Sequence, residues 1–556
     1  MKTQLEAVIE TVVADIFGEN VSIELTRPDE QFGDFATNIS LQLAARLGQN
    51  PRQVAEMLVA KLNQDLNDLV SEVAIAGPGF INLKLTDAAL IAATKVGPAP
   101  VLAGQVSIVE YSDPNPFKPL HAGHLYTTLV GDVIARLLEV AGAGVTRINY
   151  GGDVGLHVGK TMWAIIRAFN GEEPEKLASV AHERRADWLG ERYVEGNFAY
   201  EDDEAAKSEI TAVNKRVYEV HSSNDRQSAF AQIYWTCRQW SYDYFTSLYQ
   251  QLQVHPFDRV IPESEIVPLG LQIVRQQLEA GVYKASQGAV VFEGEQHGLH
   301  TRVFINSAGL PTYETKDVGL LMTKWRDYHF DRSIVITANE QAAYMAVMLK
   351  SVEQFDPEPA RRSAHLTHGM VKLQGGVKMS SRKGNTVGAL DIIDAAAVAN
   401  KTLTAKDSPE TVLGAVKYAF LKNRIGGDLT YDPVESVSLE GNSGPYLQYA
   451  HARARSILRK SVVEPTEVSK LQAGERSLVR KLGEYSEVVD RAVSELTPHH
   501  ICTYLYELAQ TFNRFYENNR VIDDPREAQR KSLVAQYADS LKSGLQILGI
   551  SAPEEM

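Results

Sequence analysis

Two histidines and a glycine, His121-Ala-Gly-His124, stand where a β-branched run gives way to a helical one. Val106-Ser-Ile-Val-Glu-Tyr111 alternates like a strand. Pro114, Pro116 and Pro119 keep the connection out of helix, and Leu120 to Val140 has helical apolar spacing. His121 and His124 thus share one face of a first helical turn. Backbone N–H groups left free there attract phosphate, and Gly123 lets a flat ring approach the backbone, so the chemistry indicated is nucleotide binding with ATP as the natural ligand. A second cluster, Lys378-Met-Ser-Ser-Arg-Lys-Gly-Asn385, follows Gly375-Gly376 far downstream. Alone, the histidines could simply cap a helix and the cations could be a solvated loop.

Together and in this order, the two clusters resemble the His-x-Gly-His element and the mobile Lys-Met-Ser-Lys-Ser loop of the class I aminoacyl-tRNA synthetases. In that family a carboxylate attacks the α-phosphorus of ATP, and late-closing cations stabilise the leaving pyrophosphate. The resemblance implies catalytic roles for His121, His124, Lys378, Arg382 and Lys383, and an ATP site that adds Gly123, Met379, Ser380 and Ser381. Ser381 stands where the second loop lysine is usual. Most arginyl-tRNA synthetases lack the same lysine, and a lysine in a Pro-Asn-x-x-Lys-Pro context is thought to compensate. Pro114-Asn-Pro-Phe-Lys-Pro119 matches that context, giving Lys118 both a catalytic and an ATP-binding role.

A guanidinium is planar, permanently charged and best held by carboxylates in forked geometry. The arginyl resemblance assigns such a pocket to Glu110, Asp113, Asn115, Tyr313, Asp317 and Gln341. Asp317 would hold the guanidinium with Tyr313 beside it, Glu110 would be the second carboxylate, and Asn115 and Gln341 would hold the α-amino end. Three positions depart from the family: Asp113 for Ser or Ala, Ala308 for an Asp, and Tyr344 for a His. Without the resemblance, Tyr313 and Asp317, four apart, read as a helix-surface pair.

The elements that position these groups occupy a chain of 556 residues, too long for one core. The expected fold is α/β: a Rossmann-type parallel-sheet catalytic domain with an insertion over 105–435, preceded by a small α+β domain over 1–92 and followed by an all-α helical bundle over 440–556. The polar helical stretch 175–251 reads as part of the insertion. The first unit resembles the domain with which arginyl enzymes touch the D-loop of tRNA, and the last resembles their anticodon-binding bundle. Phe80 and Asn82 in the former and Arg453 and Tyr516 in the latter are the candidate contacts to tRNA(Arg). Phe512 and Phe515 read as bundle core.

Net charge of −14 argues against indiscriminate nucleic-acid binding and leaves room for local basic tracks such as His451 to Arg455 with Arg459. Two cysteines, Cys237 and Cys502, are too few for a zinc site or a disulfide framework, and no run approaches the roughly 20 apolar residues of a membrane span. The reading is a cytoplasmic monomer that uses L-arginine, ATP and tRNA(Arg), with Mg²⁺ on the phosphates and no dedicated protein metal site. A tRNA binder without charging activity would have lost phosphate-handling residues, and a small-molecule adenylyltransferase would need no RNA-binding units at either end.

Overall fold

The computed structural model describes residues 1–374, 387–405 and 408–556. Five parallel strands form its centre: β1 (Val106–Glu110), β2 (Gly144–Gly151), β3 (Arg259–Pro262), β4 (Arg332–Ala338) and β5 (Ser363–His368), in the order β5-β4-β1-β2-β3. The β-branched residues suit strands covered on both faces. Val109, Ile334 and Ile336 are fully buried on the side of helix α1 (Ala122–Val140), and Ile108 and Ile148 on the other. The chain builds outward from β1 through β2 to β3, then returns to the other side of β1 for β4. Its direction reverses between β1 and β4, where open α/β sheets form their ligand crevice.

Between β2 and β3 lies the insertion, helical as expected, with α2 (Leu156–Phe169), α3 (Arg185–Asp202), α4 (Glu204–Ser222) and α5 (Ala229–Gln251) around a separate core that includes Met162, Leu189 and Phe230. After β3 come α6 (Glu263–Glu279), then an antiparallel sheet of Lys284–Ser286, Ala289–Phe292 and Arg302–Ile305, then α7 (Tyr313–Tyr328) and α8 (Ala342–Glu353). That small sheet was not anticipated; strands of three and four residues are too short to show a period.

The N-terminal unit sets helices Lys2–Phe17, Ile39–Leu47 and Pro51–Asp65 against a three-stranded antiparallel sheet with Phe80–Leu85 at its centre. The C-terminal bundle comprises α9 (Gly444–Lys460), α10 (Ala473–Leu482), α11 (Tyr485–Glu495), α12 (His499–Asn518) and α13 (Glu527–Ile547). The two ends of the chain meet. Arg27 forks onto Glu487 at 2.7 and 3.1 Å, and Arg476 bridges Asp34 at 2.6 Å and Asp87 at 3.0 Å. Leu83, Val133 and Leu505 belong to one continuous hydrophobic core, so the sheet, the N-terminal unit and the bundle are packed together.

Candidate active site

The crevice between β1 and β4 is a cavity of about 520 Å³. Its wall brings together all ten described pocket candidates: Glu110, Asp113, Asn115, Lys118, His121, Gly123, His124, Tyr313, Asp317 and Gln341. Lys378, Met379, Ser380, Ser381, Arg382 and Lys383 lie outside the described residues. Past them, Gly388 bridges to His121, Ala122 N–H donates to the Val387 carbonyl, and Ala389 N–H donates to that of Leu120. The chain that follows the basic cluster is therefore pinned to the histidine motif.

The motif itself is a reciprocal cap. His121 is the N-cap of α1, and its Nδ1 accepts the Gly123 N–H at 3.1 Å, while His124 Nδ1 accepts the His121 N–H at 3.2 Å. This corrects one expectation: the N–H groups of His121, Ala122 and Gly123 are already bonded and are not free for phosphate. With each Nδ1 accepting, each ring carries its proton on Nε2, and those two N–H groups are the donors left for an anion. Burial, then the Lys118 charge, lowers the His121 pKa to about 4. Burial and His121 lower that of His124 well below the usual range, so both rings are neutral donors at pH 7. They stack with centroids 3.8 Å apart. A Cβ on Gly123 would stand 2.9 Å from His121 Cε1, so the glycine is required first by the motif's own ring.

The loop from β1 to α1 holds three non-glycine residues in the left-handed region, Ser112 at φ 74°, Asp113 at 45° and Phe117 at 71°. Each such residue costs about 1–3 kcal/mol unless its surroundings hold it. Here Ser112 bonds the Tyr249 hydroxyl at 2.8 Å, Asp113 accepts the Tyr150 N–H at 2.8 Å, and Phe117 N–H donates to Ser241 Oγ at 3.0 Å. The insertion helix α5 thus braces the site through Ser241 and Tyr249.

Charge is arranged unevenly. Glu110 is 3% exposed and paired with the equally buried Lys324 at 2.6 Å, so its charge is already met from within the protein. Glu263 and Lys316 form a second buried pair at 2.5 Å. Asp317, one turn along α7 from the exposed Tyr313, is 8% exposed, and its Oδ2 has no hydrogen-bond partner among the described residues. Burial and the neighbouring Glu110 push its pKa up to about 8, against a smaller opposing effect of the Tyr344 hydroxyl. Burial and Glu110 likewise raise Asp113 well above the carboxylate range. The other buried atom on this wall without a described partner is the Tyr150 hydroxyl. Asn115 Oδ1 accepts the Gly152 N–H at 3.0 Å, which leaves its Nδ2 hydrogens for an acceptor in the cavity. Gln341 Oε1 receives the Tyr344 hydroxyl over a long 3.4 Å.

Sequence reasoning had not named Glu263, Thr127 and His368, which also line the cavity. His368 ends β5, with Nδ1 at 2.8 Å from the Gly369 carbonyl and Nε2 at 2.8 Å from Thr127 Oγ1. Thr127 lies on α1 one turn past His124, whereas Glu263, at the start of α6, and His368 are brought in from distant segments and carry no local signal. Among the described residues no group of three or more His, Cys, Asp or Glu could hold a metal, and no helix is long and apolar enough to cross a membrane.

The RNA candidates separate. Phe80 is 41% exposed at the start of its strand, whereas Asn82 is nine-tenths buried in the sheet centre. Arg453 lies 4.9 Å over the Tyr516 ring, joining α9 to α12, while Phe512 and Phe515 fill the bundle core. Arg455 and Arg459 of the basic tract are occupied by Glu554 and Glu555 at 2.7 and 3.2 Å.

A switch-point cavity, a histidine cap and an attached helical bundle define a class I synthetase, and the family model described as "tRNA synthetases class I (R), catalytic domain" matches residues 87–429. The DALR anticodon binding domain model matches 447–556, and the arginyl tRNA synthetase N-terminal domain model matches 1–85. An arginine–tRNA ligase of Synechococcus sp. is 32% identical, with 95% of this chain and 94% of the relative covered. The solved Thermus thermophilus arginyl-tRNA synthetase superposes with a TM-score of 0.82 at 25% identity over 100% of both chains. The Plasmodium falciparum arginyl-tRNA synthetase shares the fold, with a TM-score of 0.81 at 19% identity, over 100% of this chain and 99% of that one. The chain belongs to the arginyl-tRNA synthetase family of class I.

Proposed function

We propose that this protein ligates L-arginine to tRNA(Arg) with ATP, through an arginyl-adenylate, as a cytoplasmic monomer. The observation that carries the arginine site is the unpartnered, buried Asp317 Oδ2 on the wall of the cavity that also holds the histidine cap. A buried polar atom without a partner needs a ligand, and a planar cation supplies the fork of donors that a carboxylate accepts.

In the first step an arginine carboxylate oxygen attacks the α-phosphorus, the bond to the bridging oxygen breaks, and pyrophosphate leaves. His121 and His124 donate from Nε2 to the phosphates, and Lys118 adds the positive charge that Ser381 cannot. Lys378, Arg382 and Lys383 complete the charge stabilisation, and Gly123, Met379, Ser380 and Ser381 border the nucleotide. Mg²⁺ carried on the phosphates of the ATP substrate would offset part of their charge. Asp317 and Tyr313 hold the guanidinium. Two expected roles change: with its Oδ1 taken by the Gly152 N–H, Asn115 turns its Nδ2 donors to the arginine carboxylate instead of the α-amino end, and Glu110, already paired with Lys324, borders the arginine site with Asp113 instead of serving as the second carboxylate, while Gln341 takes the ammonium. No protein nucleophile takes part, so the rate comes from positioning and preorganised charge. In the second step the 2′-hydroxyl of the terminal adenosine attacks the activated carbonyl and AMP leaves. Phe80, Arg453 and Tyr516 are the proposed tRNA contacts, Asn82 being enclosed in its sheet, in units spanning 1–92 and 440–556 on either side of a catalytic unit spanning 105–435.

The test is a charging reaction with ATP, unfractionated tRNA and all twenty amino acids. Arginine on arginine isoacceptors alone is the expected product; another amino acid, or none, would overturn the assignment.

A further inference from the structure

One stripe of insertion helix α3 rests on the loop that carries Lys118. Gly190, Tyr193, Asn197 and Tyr200 recur at offsets of three, seven and ten residues and so share a face. A Cβ on Gly190 would stand 3.1 Å from Pro119 Cδ, and one on Gly196 would overlap the Lys160 carbonyl oxygen, so α3 sits as close to the loop and to α2 as glycine permits.

The stripe meets two lysines and treats them differently. Lys160 Nζ is saturated: it donates to Asn197 Oδ1 at 2.8 Å, lies 3.7 Å from Glu201 and stands 4.4 Å over the Tyr200 ring. Lys118 forms no ion pair or side-chain hydrogen bond among the described residues, and its Nζ lies 5.5 Å from the centre of the Tyr193 ring. An aromatic face attracts an ammonium without accepting its N–H hydrogens or cancelling its charge. A carboxylate at 193 would do both. Lys118 is thus held at the cavity with its donors free for phosphate.

We propose that Tyr193 is a positioning residue for Lys118, and that α3 thereby links the placement of the insertion to the rate of adenylation. This rests on the proposed catalytic role of Lys118. The experiment is a double-mutant cycle on adenylate formation, measured as kcat with the KM values for ATP and arginine. Tyr193→Leu should lower kcat about tenfold, the scale of a partly desolvated cation–π contact, with the arginine KM unchanged. Tyr193→Phe, which keeps the ring, should stay within about twofold of the parent. In a Lys118→Ala background Tyr193→Leu should add nothing. Tyr193→Gln repeats the test if Leu loosens α3. Parental kcat in both Tyr193→Leu and Tyr193→Gln, beside a slow Lys118→Ala, would overturn the proposal and leave the role of Lys118 standing, as would a Tyr193→Leu defect that persists without Lys118. A parental rate in Lys118→Ala would remove the role of Lys118 and the proposal with it.

Discussion

Arginine binding should expel a proton from Asp317. Burial and the neighbouring Glu110 push this carboxyl up to about 8, so at pH 7 roughly nine in ten free molecules carry it protonated. A guanidinium needs the carboxylate, so binding at pH 7 should release about 0.9 proton and cost about 1.4 kcal/mol in deprotonation. Affinity should therefore rise about tenfold for each pH unit up to about 8 and level off above it. The sign for folding is the opposite. A carboxyl raised above its unfolded value contributes stability that is complete below about pH 4 and is lost as pH rises through about 8, and bound arginine should restore it on the alkaline side. Isothermal titration in buffers of different ionisation enthalpy counts the protons directly. Asp317→Asn should abolish the release and weaken arginine binding by about 3 kcal/mol, roughly a hundredfold. Normal arginine affinity at pH 7 with no proton released, or an undiminished release from Asp317→Asn, would refute the reasoning.

Four further outcomes follow from the same geometry. Gly123→Ala drives a methyl into the His121 ring and should reduce adenylation at least tenfold while the unfolding midpoint stays close to the parent's, measured by pyrophosphate exchange and thermal melting. Lys324→Met strands Glu110 in a site where both groups are 3–4% exposed and should cost about 3–5 kcal/mol in urea unfolding, and adding Glu110→Gln should recover much of that loss. Because His121 titrates near pH 4 and His124 lies well below its usual value, kcat should show no inflection from the motif histidines between pH 6 and 9. Tyr516→Ala removes the ring under Arg453 and should raise the KM for tRNA several-fold without changing those for ATP and arginine, read in aminoacylation kinetics.

The parts of the site legible in the sequence are those set by short spacings. The strand, proline-rich turn and helix around His121 are of that kind; Tyr313, Asp317 and Gln341 are reached only through the family resemblance, because their spacing alone reads as a helix surface, and the parallel sheet closes these walls together. What escaped reading depends on distant segments or on the role of a familiar residue type. Glu263 arrives from the start of α6 and His368 from the end of β5, and the partner of Glu110 is 214 positions away. The histidine cap was one of the readings open in the sequence, since the three-residue spacing is that of a capping box, and the motif both caps its helix and faces the cavity. Burial patterns misled at Asn82, whose amide lies inside the sheet, and at Arg455 and Arg459, where the acidic chain end folds back onto basic residues that look free in the sequence.

Pyrophosphate exchange into ATP, run with each of the twenty amino acids and with or without unfractionated tRNA, tests the shared arginine and ATP cavity most directly. Exchange with arginine alone, strengthened by tRNA, is expected of Asp317 and the histidine cap facing one space. Exchange driven by another amino acid, or none with arginine when tRNA is present, would contradict it.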